Sequence, residues 1–145
     1  MGAKTTPEFK KLHSAVRELV RDTLNPNFEK VEKEAKIPEH IVEKFRRLGL
    51  FGMSIPRQYG GLGLTTVEEM ALIEEMTYTN ACFRSRVGTN NSIGSMGIVF
   101  DGTDRQRERY LPRIASGEWT TSFALTEPNA GSDASGIITT AELDG

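Results

Sequence analysis

Apolar residues recur at helical spacing along most of this chain, and the pattern changes only after Gly117. Phe9, Leu12, Val16, Leu19 and Val20 make one stripe. Ile41, Val42, Phe45 and Leu48 make another, and Val67, Met70, Ala71, Ile73 and Met76 a third. Such stripes read as amphipathic helices, each with one face turned to a common core. The boundaries are marked as well. Asn25-Pro26-Asn27 breaks the first helix, Pro38 suits a first helical turn, and Gly49 is the expected C-cap. Phe28–Ala35 is a short charged helical stretch. Thr65-Thr66-Val67-Glu68-Glu69 holds two overlapping capping boxes, Thr65 with Glu68 or Thr66 with Glu69, and Thr103 with Gln106 is a third. The last opens a helix to about Ala115, ended by Gly117.

A further helix is expected from Ala81 to Phe100, despite Gly88, Ser92, Gly94, Ser95 and Gly97, which lower its propensity. Small residues there admit a neighbour or a ligand close to the backbone, and composition favours neither. Between the second and third stripes, Leu50–Leu64 is a loop with Gly60, Gly61 and Gly63. Its glycine spacing and the lack of a preceding strand do not fit a dinucleotide fingerprint. After Gly117, Thr120–Leu125 and Ile137–Leu143 are rich in β-branched residues and read as strands. Asp144-Gly145 is a pair that begins hairpin turns. Two strands with no return partner form an incomplete unit that would expose unpaired edges. The expected architecture is therefore mainly α: a helical bundle domain over residues 1–118, then the first strands of a truncated β-domain over 119–145.

Composition narrows the function. The chain has 145 residues, 18 basic and 20 acidic, for a net charge of −2, so no basic excess suits nucleic acid. Its single cysteine, Cys82, forms no internal disulfide, and cytoplasmic use is the simple reading. No spacing suits zinc, and no apolar run is long enough to span a bilayer. Met1-Gly2-Ala3-Lys4-Thr5-Thr6 lacks an apolar signal core; its loose match to a myristoylation pattern reads as chance.

Chemistry concentrates in Phe123-Ala124-Leu125-Thr126-Glu127-Pro128-Asn129-Ala130-Gly131-Ser132-Asp133. An apolar run passes into a loop longer than an ordinary turn. Closely spaced Gly and Ser let backbone N–H groups approach a phosphate or a flat ring. A capped strand-to-loop junction satisfies the same residues.

The run from Ala124 to Gly136 resembles the flavin-loop signature of the acyl-CoA dehydrogenases. Further matches lie upstream in the family's order: Ile55-Pro56, then Tyr59-Gly60-Gly61-Leu62-Gly63-Leu64, then Gly102-Thr103-Asp104, Gln106, Tyr110-Leu111-Pro112 and Gly117-Glu118. The resemblance runs from about Leu48 to Gly136. It implies an FAD-dependent α,β-dehydrogenation of an acyl-CoA thioester, in fatty acid or amino acid catabolism, with an electron-transfer flavoprotein as acceptor and a homo-oligomer, most often a tetramer. Family members continue into a β-barrel and a second helical domain. The catalytic carboxylate lies in the latter, so no residue here is assigned as base, and this chain alone is expected to be inactive and to bind FAD weakly or not at all.

By position in the signature, Phe123, Leu125 and Thr126 are expected along the flavin ring. Ser132 is expected at the pyrophosphate and beside the thioester, with Gly131 allowing the approach. Glu127 looks structural. Asn129 departs from the glycine of many members, although asparagine tolerates similar backbone angles. Arg84 and Arg86 begin a helix, where a cation is unfavourable for the macrodipole. Read from the residues alone, both are solvated or salt-bridged. Phe83-Arg84-Ser85, however, resembles the glutaryl-CoA dehydrogenase branch. There the arginine grips the distal carboxylate of the acyl chain, which assigns Arg84 and Ser85 to substrate. Pro128-Asn129 also looks like that branch, while Val87-Gly88-Thr89 departs from it.

The remaining marked residues read as bland. His13 and His40 are expected at the surface and Cys82 packed. Trp119 reads as core or as a site wall, and Met53, Met70, Met76 and Met96 as core filling. A second reading belongs to another class: a non-catalytic helical interaction or regulatory module, or a split subunit, that keeps the fold alone.

Overall fold

The computed structural model describes residues 6–143, and seven α-helices form its body. They are α1 (Pro7–Leu19), α2 (Phe28–Glu34), α3 (Glu39–Arg47), α4 (Thr66–Met76), α5 (Ala81–Asn91), α6 (Met96–Asp101) and α7 (Asp104–Ala115). Asp144-Gly145 and most of the myristoylation-like pattern lie outside the described residues.

Local chemistry sets most ends. Thr6 caps α1 by accepting from the Phe9 N–H at 3.1 Å. Of the two overlapping boxes before α4, Thr65 with Glu68 forms, each side chain accepting from the other's backbone N–H. Thr103 and Gln106 do the same for α7. Gly49 follows α3 in the left-handed region, at φ +70°.

Asn25-Pro26-Asn27 does not end the first helix as expected. The chain widens into a π-turn over Val20–Leu24 and then tightens into a 3₁₀ turn over Asn25–Asn27 before α2. Pro26 has no N–H for the ladder, and the Asn27 side-chain amide donates instead to the Thr23 carbonyl at 2.8 Å.

One apolar cluster joins α1, α3, α4 and α5. At its centre Phe45 meets Phe51 and Phe83 edge to face, at centroid distances of 6.4 and 6.5 Å. Burying one such side chain stabilises the fold by roughly 1.5–3 kcal/mol. Leu50–Leu64 belongs to this core, because Leu50, Phe51 and Met53 are buried in it and three backbone hydrogen bonds close the segment on itself. A second cluster gathers Ile55, Leu111, Ile114 and Ala115 under α7. Met53 and Met76 fill the core as expected, whereas Met70 is 49% exposed.

His13 is not a plain surface residue. It is half-buried beside Glu75, which also receives Arg17 from α1. The Arg17 hydrogen bonds hold the Glu75 carboxyl below the usual carboxylate range.

Two expectations change. The helix drawn from Ala81 to Phe100 is two helices, α5 and α6, separated by a turn over residues 92–95. Thr120–Leu125 and Ile137–Leu143 form no strand among the described residues. They run without a ladder, and the isolated Glu127–Ala130 bridge lies between them. Strands exist only by pairing, and no neighbouring segment supplies a partner. The mainly α class stands.

Candidate functional site

α5 and the segment after α7 position the residues singled out by sequence. Asn90 on α5 is fully buried and makes four hydrogen bonds. Its Nδ2 donates to the carbonyls of Ile114 (3.1 Å) and Trp119 (2.9 Å). Its Oδ1 accepts from the N–H and Oγ1 of Thr121, both at 3.0 Å. A Cβ on Gly94 would fall 1.9 Å from Thr121 Oγ1, so only glycine lets the segment seat there. At this position the small residues of the 81–100 stretch serve close packing of the chain on itself.

Asn91 works similarly. It donates to the carbonyls of Leu50 (2.6 Å) and Val87 (2.9 Å) and accepts from the Ser54 N–H at 3.4 Å. Sequence reasoning missed both asparagines. The available signal was two poor helix formers side by side in a helix.

From Ser122 the chain leaves this seat. Phe123 is 56% and Leu125 43% exposed, and Thr126 is exposed beside them. Glu127–Ala130 then closes as a tight turn, with Glu127 N–H to Ala130 O at 3.0 Å and the return bond at 3.2 Å. Asn129 keeps a negative φ, so its tolerance of left-handed angles is not used. The Glu127 carboxylate reaches forward and accepts from the N–H groups of Ile138 (2.9 Å) and Thr139 (2.8 Å) and from the Thr139 hydroxyl. These bonds hold its pKa below the ordinary glutamate value, led by the Ile138 N–H. Glu127 thus staples residues 127–139 into a loop, a structural role. Asp133 accepts from the Ser135 N–H inside it. Gly131 and Ser132 sit on its exposed rim, and a Cβ on Gly131 would meet nothing within 4 Å.

Arg84 and Ser85 are exposed on α5. Arg84 lies 200° around the helix from Arg86, and its guanidinium lies along α5 near Gly88. Among the described residues Arg84 has no ion pair within 4.0 Å, and no hydrogen bond joins Arg84 or Ser85 to the 123–132 segment. Glu69 of α4 lies on its side. Burial pushes that carboxyl above its ordinary value, against the opposing pull of Arg84. Trp119 packs against Tyr110 and under the Arg113 guanidinium, 4.6 Å from its ring centre, so it belongs to the helical body. Cys82 is half-buried, and burial pushes its thiol pKa up, which suits packing and not nucleophilic attack. A cleft of about 480 Å³ between α1 and residues 57–64 contains none of the residues predicted for the site.

The helical body thus seats an extended segment, and the stapled loop leaves its apolar and hydroxyl side chains outward. Residues 6–118 match the family model described as acyl-CoA dehydrogenase, N-terminal domain, and the chain belongs to that family. It is 36% identical over 141 residues to a 3-(aryl)acrylate reductase of Clostridium sporogenes, covering 94% of this chain and 37% of that protein. An acyl-CoA dehydrogenase from Bacillus anthracis, complexed with FAD, superposes with a TM-score of 0.77 at 31% identity, covering 92% of this chain and 23% of the other. A glutaryl-CoA dehydrogenase from Mycobacterium smegmatis, in complex with FADH2, gives 0.78 at 30% identity, over 92% and 34%. The chain therefore spans between about a quarter and a little over a third of the length of these relatives.

Proposed function

We propose that this chain is the N-terminal part of a cytoplasmic, FAD-dependent acyl-CoA oxidoreductase, with residues 1–118 as its helical domain and 119–145 opening the next. The observation that carries this reading is the surface from Phe123 to Ser132. Two large apolar side chains stand exposed before a loop whose glycine faces open space. These residues fit a flavin. Phe123 and Leu125 offer apolar faces to the ring, and Thr126 a hydroxyl to its polar edge. Ser132 offers a hydroxyl to the pyrophosphate, beside the thioester. When bound, the flavin supplies a two-electron acceptor for the hydrogen leaving the acyl β-carbon. The chain's own contribution is to hold and orient, because the carboxylate that takes the α-proton belongs to a later domain in the family. The substrate is an acyl-CoA, the acceptor an electron-transfer flavoprotein, and the assembly a homo-oligomer, in keeping with the family resemblance. The reductase name of the Clostridium relative fits the same chemistry run in reverse.

Arg84 would select an acyl chain with an anionic end, as in glutaryl-CoA. The support is its exposure without an ion-pair partner within 4.0 Å among the described residues, together with the planar fork that suits a carboxylate. In the intact gene product, Arg84→Ala is expected to cut kcat/KM for glutaryl-CoA by about 100-fold, the scale of a charge-assisted pair, and for butyryl-CoA by less than about threefold. Equal losses on both would overturn the assignment. Equilibrium dialysis of the intact protein against FAD tests the cofactor reading directly, and absence of binding would sink it.

A further inference from the structure

Arg86 has a partner on this chain, and its place suggests a task. We propose that Arg86 is a positioning residue for the candidate flavin segment, the first point of a seat on α5 that sets where Phe123–Ser132 leaves the helical body. The proposal rests on the flavin reading above.

Arg86 Nη1 donates to Thr120 Oγ1 at 3.1 Å, and its guanidinium lies over the ring of Phe51, 5.1 Å from the centroid. Phe51 is fully buried, so the platform under the arginine is part of the core. One turn on, Asn90 grips Thr121, and Gly94 follows in the turn beyond the helix. The i, i+4 spacing sets Arg86 and Asn90 on one side of α5, and Gly94 meets the same segment from the turn that follows. Arg86 meets Thr120, and Asn90 and Gly94 both meet Thr121, consecutive residues of one extended segment. Phe123 follows two residues after Thr121, at most about 7 Å of chain, so a tilt of the seat is passed directly to the segment proposed to face the flavin. Arginine suits the task because a planar guanidinium stacks on an aromatic face and donates in its own plane at the same time, which an ammonium does not do. The same contacts explain a cation near the start of a helix, where the dipole opposes it.

The test uses the intact gene product with Arg86→Ala, Arg86→Lys, Thr120→Val and the Ala/Val double variant. FAD Kd is read from flavin fluorescence, and hydrogen exchange of the 123–126 amides is followed without FAD. We expect Arg86→Ala to raise the Kd by about tenfold and to speed that exchange. Arg86→Lys should recover little, and Thr120→Val should add nothing once Arg86 is gone. A Kd within about twofold of wild type, or exchange unchanged in Arg86→Ala, overturns the seat. A double variant whose losses add overturns the Arg86–Thr120 coupling. Wild-type protein without affinity for FAD overturns the parent reading instead, and the exchange arm still decides whether Arg86 holds the segment.

Discussion

At the residue scale, Gly131 separates folding from binding. Among the described residues, chain neighbours aside, nothing comes within 4 Å of a Cβ placed there, and its φ is not in the left-handed region. Gly131→Ala is therefore expected to leave stability within about 0.5 kcal/mol, as surface substitutions do. If the flavin reading holds, the same methyl crowds the pyrophosphate and weakens FAD binding. Urea unfolding and FAD titration of one variant check both halves, and a large stability loss would show that the glycine serves the loop itself. Arg84 and Arg86 show how far sequence reached at this scale. They looked alike, two arginines at a helix start. A spacing of two sends them to opposite sides of α5, where one stacks on Phe51 and the other stays exposed. Which arginine met the core depended on Phe51, 35 positions away, and no local pattern carried that.

At the scale of elements, the loop from Glu127 to Thr139 closes through one carboxylate, and that gives it a pH dependence. The folded pKa of Glu127 lies below its unfolded value. The staple is therefore complete above the ordinary glutamate range, near 4.3, and is lost as pH falls through the depressed value. The amide shifts of Ile138 and Thr139 should titrate together with a midpoint below about 4.3. A midpoint at or above that value would remove the staple. Glu127→Ala should open the loop at neutral pH and free both amides to exchange. Helix caps were legible in the sequence because Thr65 with Glu68, and Thr103 with Gln106, decide among residues three apart. The division of the 81–100 stretch was not read from the sequence; it falls at residues 92–95, where Gly94 lies so close to Thr121 that a Cβ would not fit. The extended segments were read as strands from their β-branched residues, yet pairing needs a second segment, and propensity names none.

For the whole molecule, the helical body and the last fifth of the chain depend on each other unequally. Beyond Thr121, Ala130 is the one buried residue among those described. A chain ending at Ser122 is therefore expected to melt within about 2 °C of the 145-residue chain. One ending at Glu118 loses Trp119 and Thr121, which make three of the four Asn90 hydrogen bonds, and should melt several degrees lower. Differential scanning calorimetry of the three chains decides the point. Equal melting of the two shortened chains would put the boundary at residue 118, where composition drew it.

Asn90 also bears on the order of folding. Its partners lie 24 to 31 residues ahead in sequence, so its bonds are expected to form after α5, α6 and α7 close on one another. Contacts that close this late are expected to be absent from the barrier, and so to govern escape from the native state more than arrival at it. Asn90→Ala should multiply the unfolding rate about tenfold or more while leaving refolding nearly unchanged, the pattern of a side chain with φ near zero. Stopped-flow chevrons would show it as a shift of one limb. The amide that directs the loop would then act as its latch, setting how long the native state lasts.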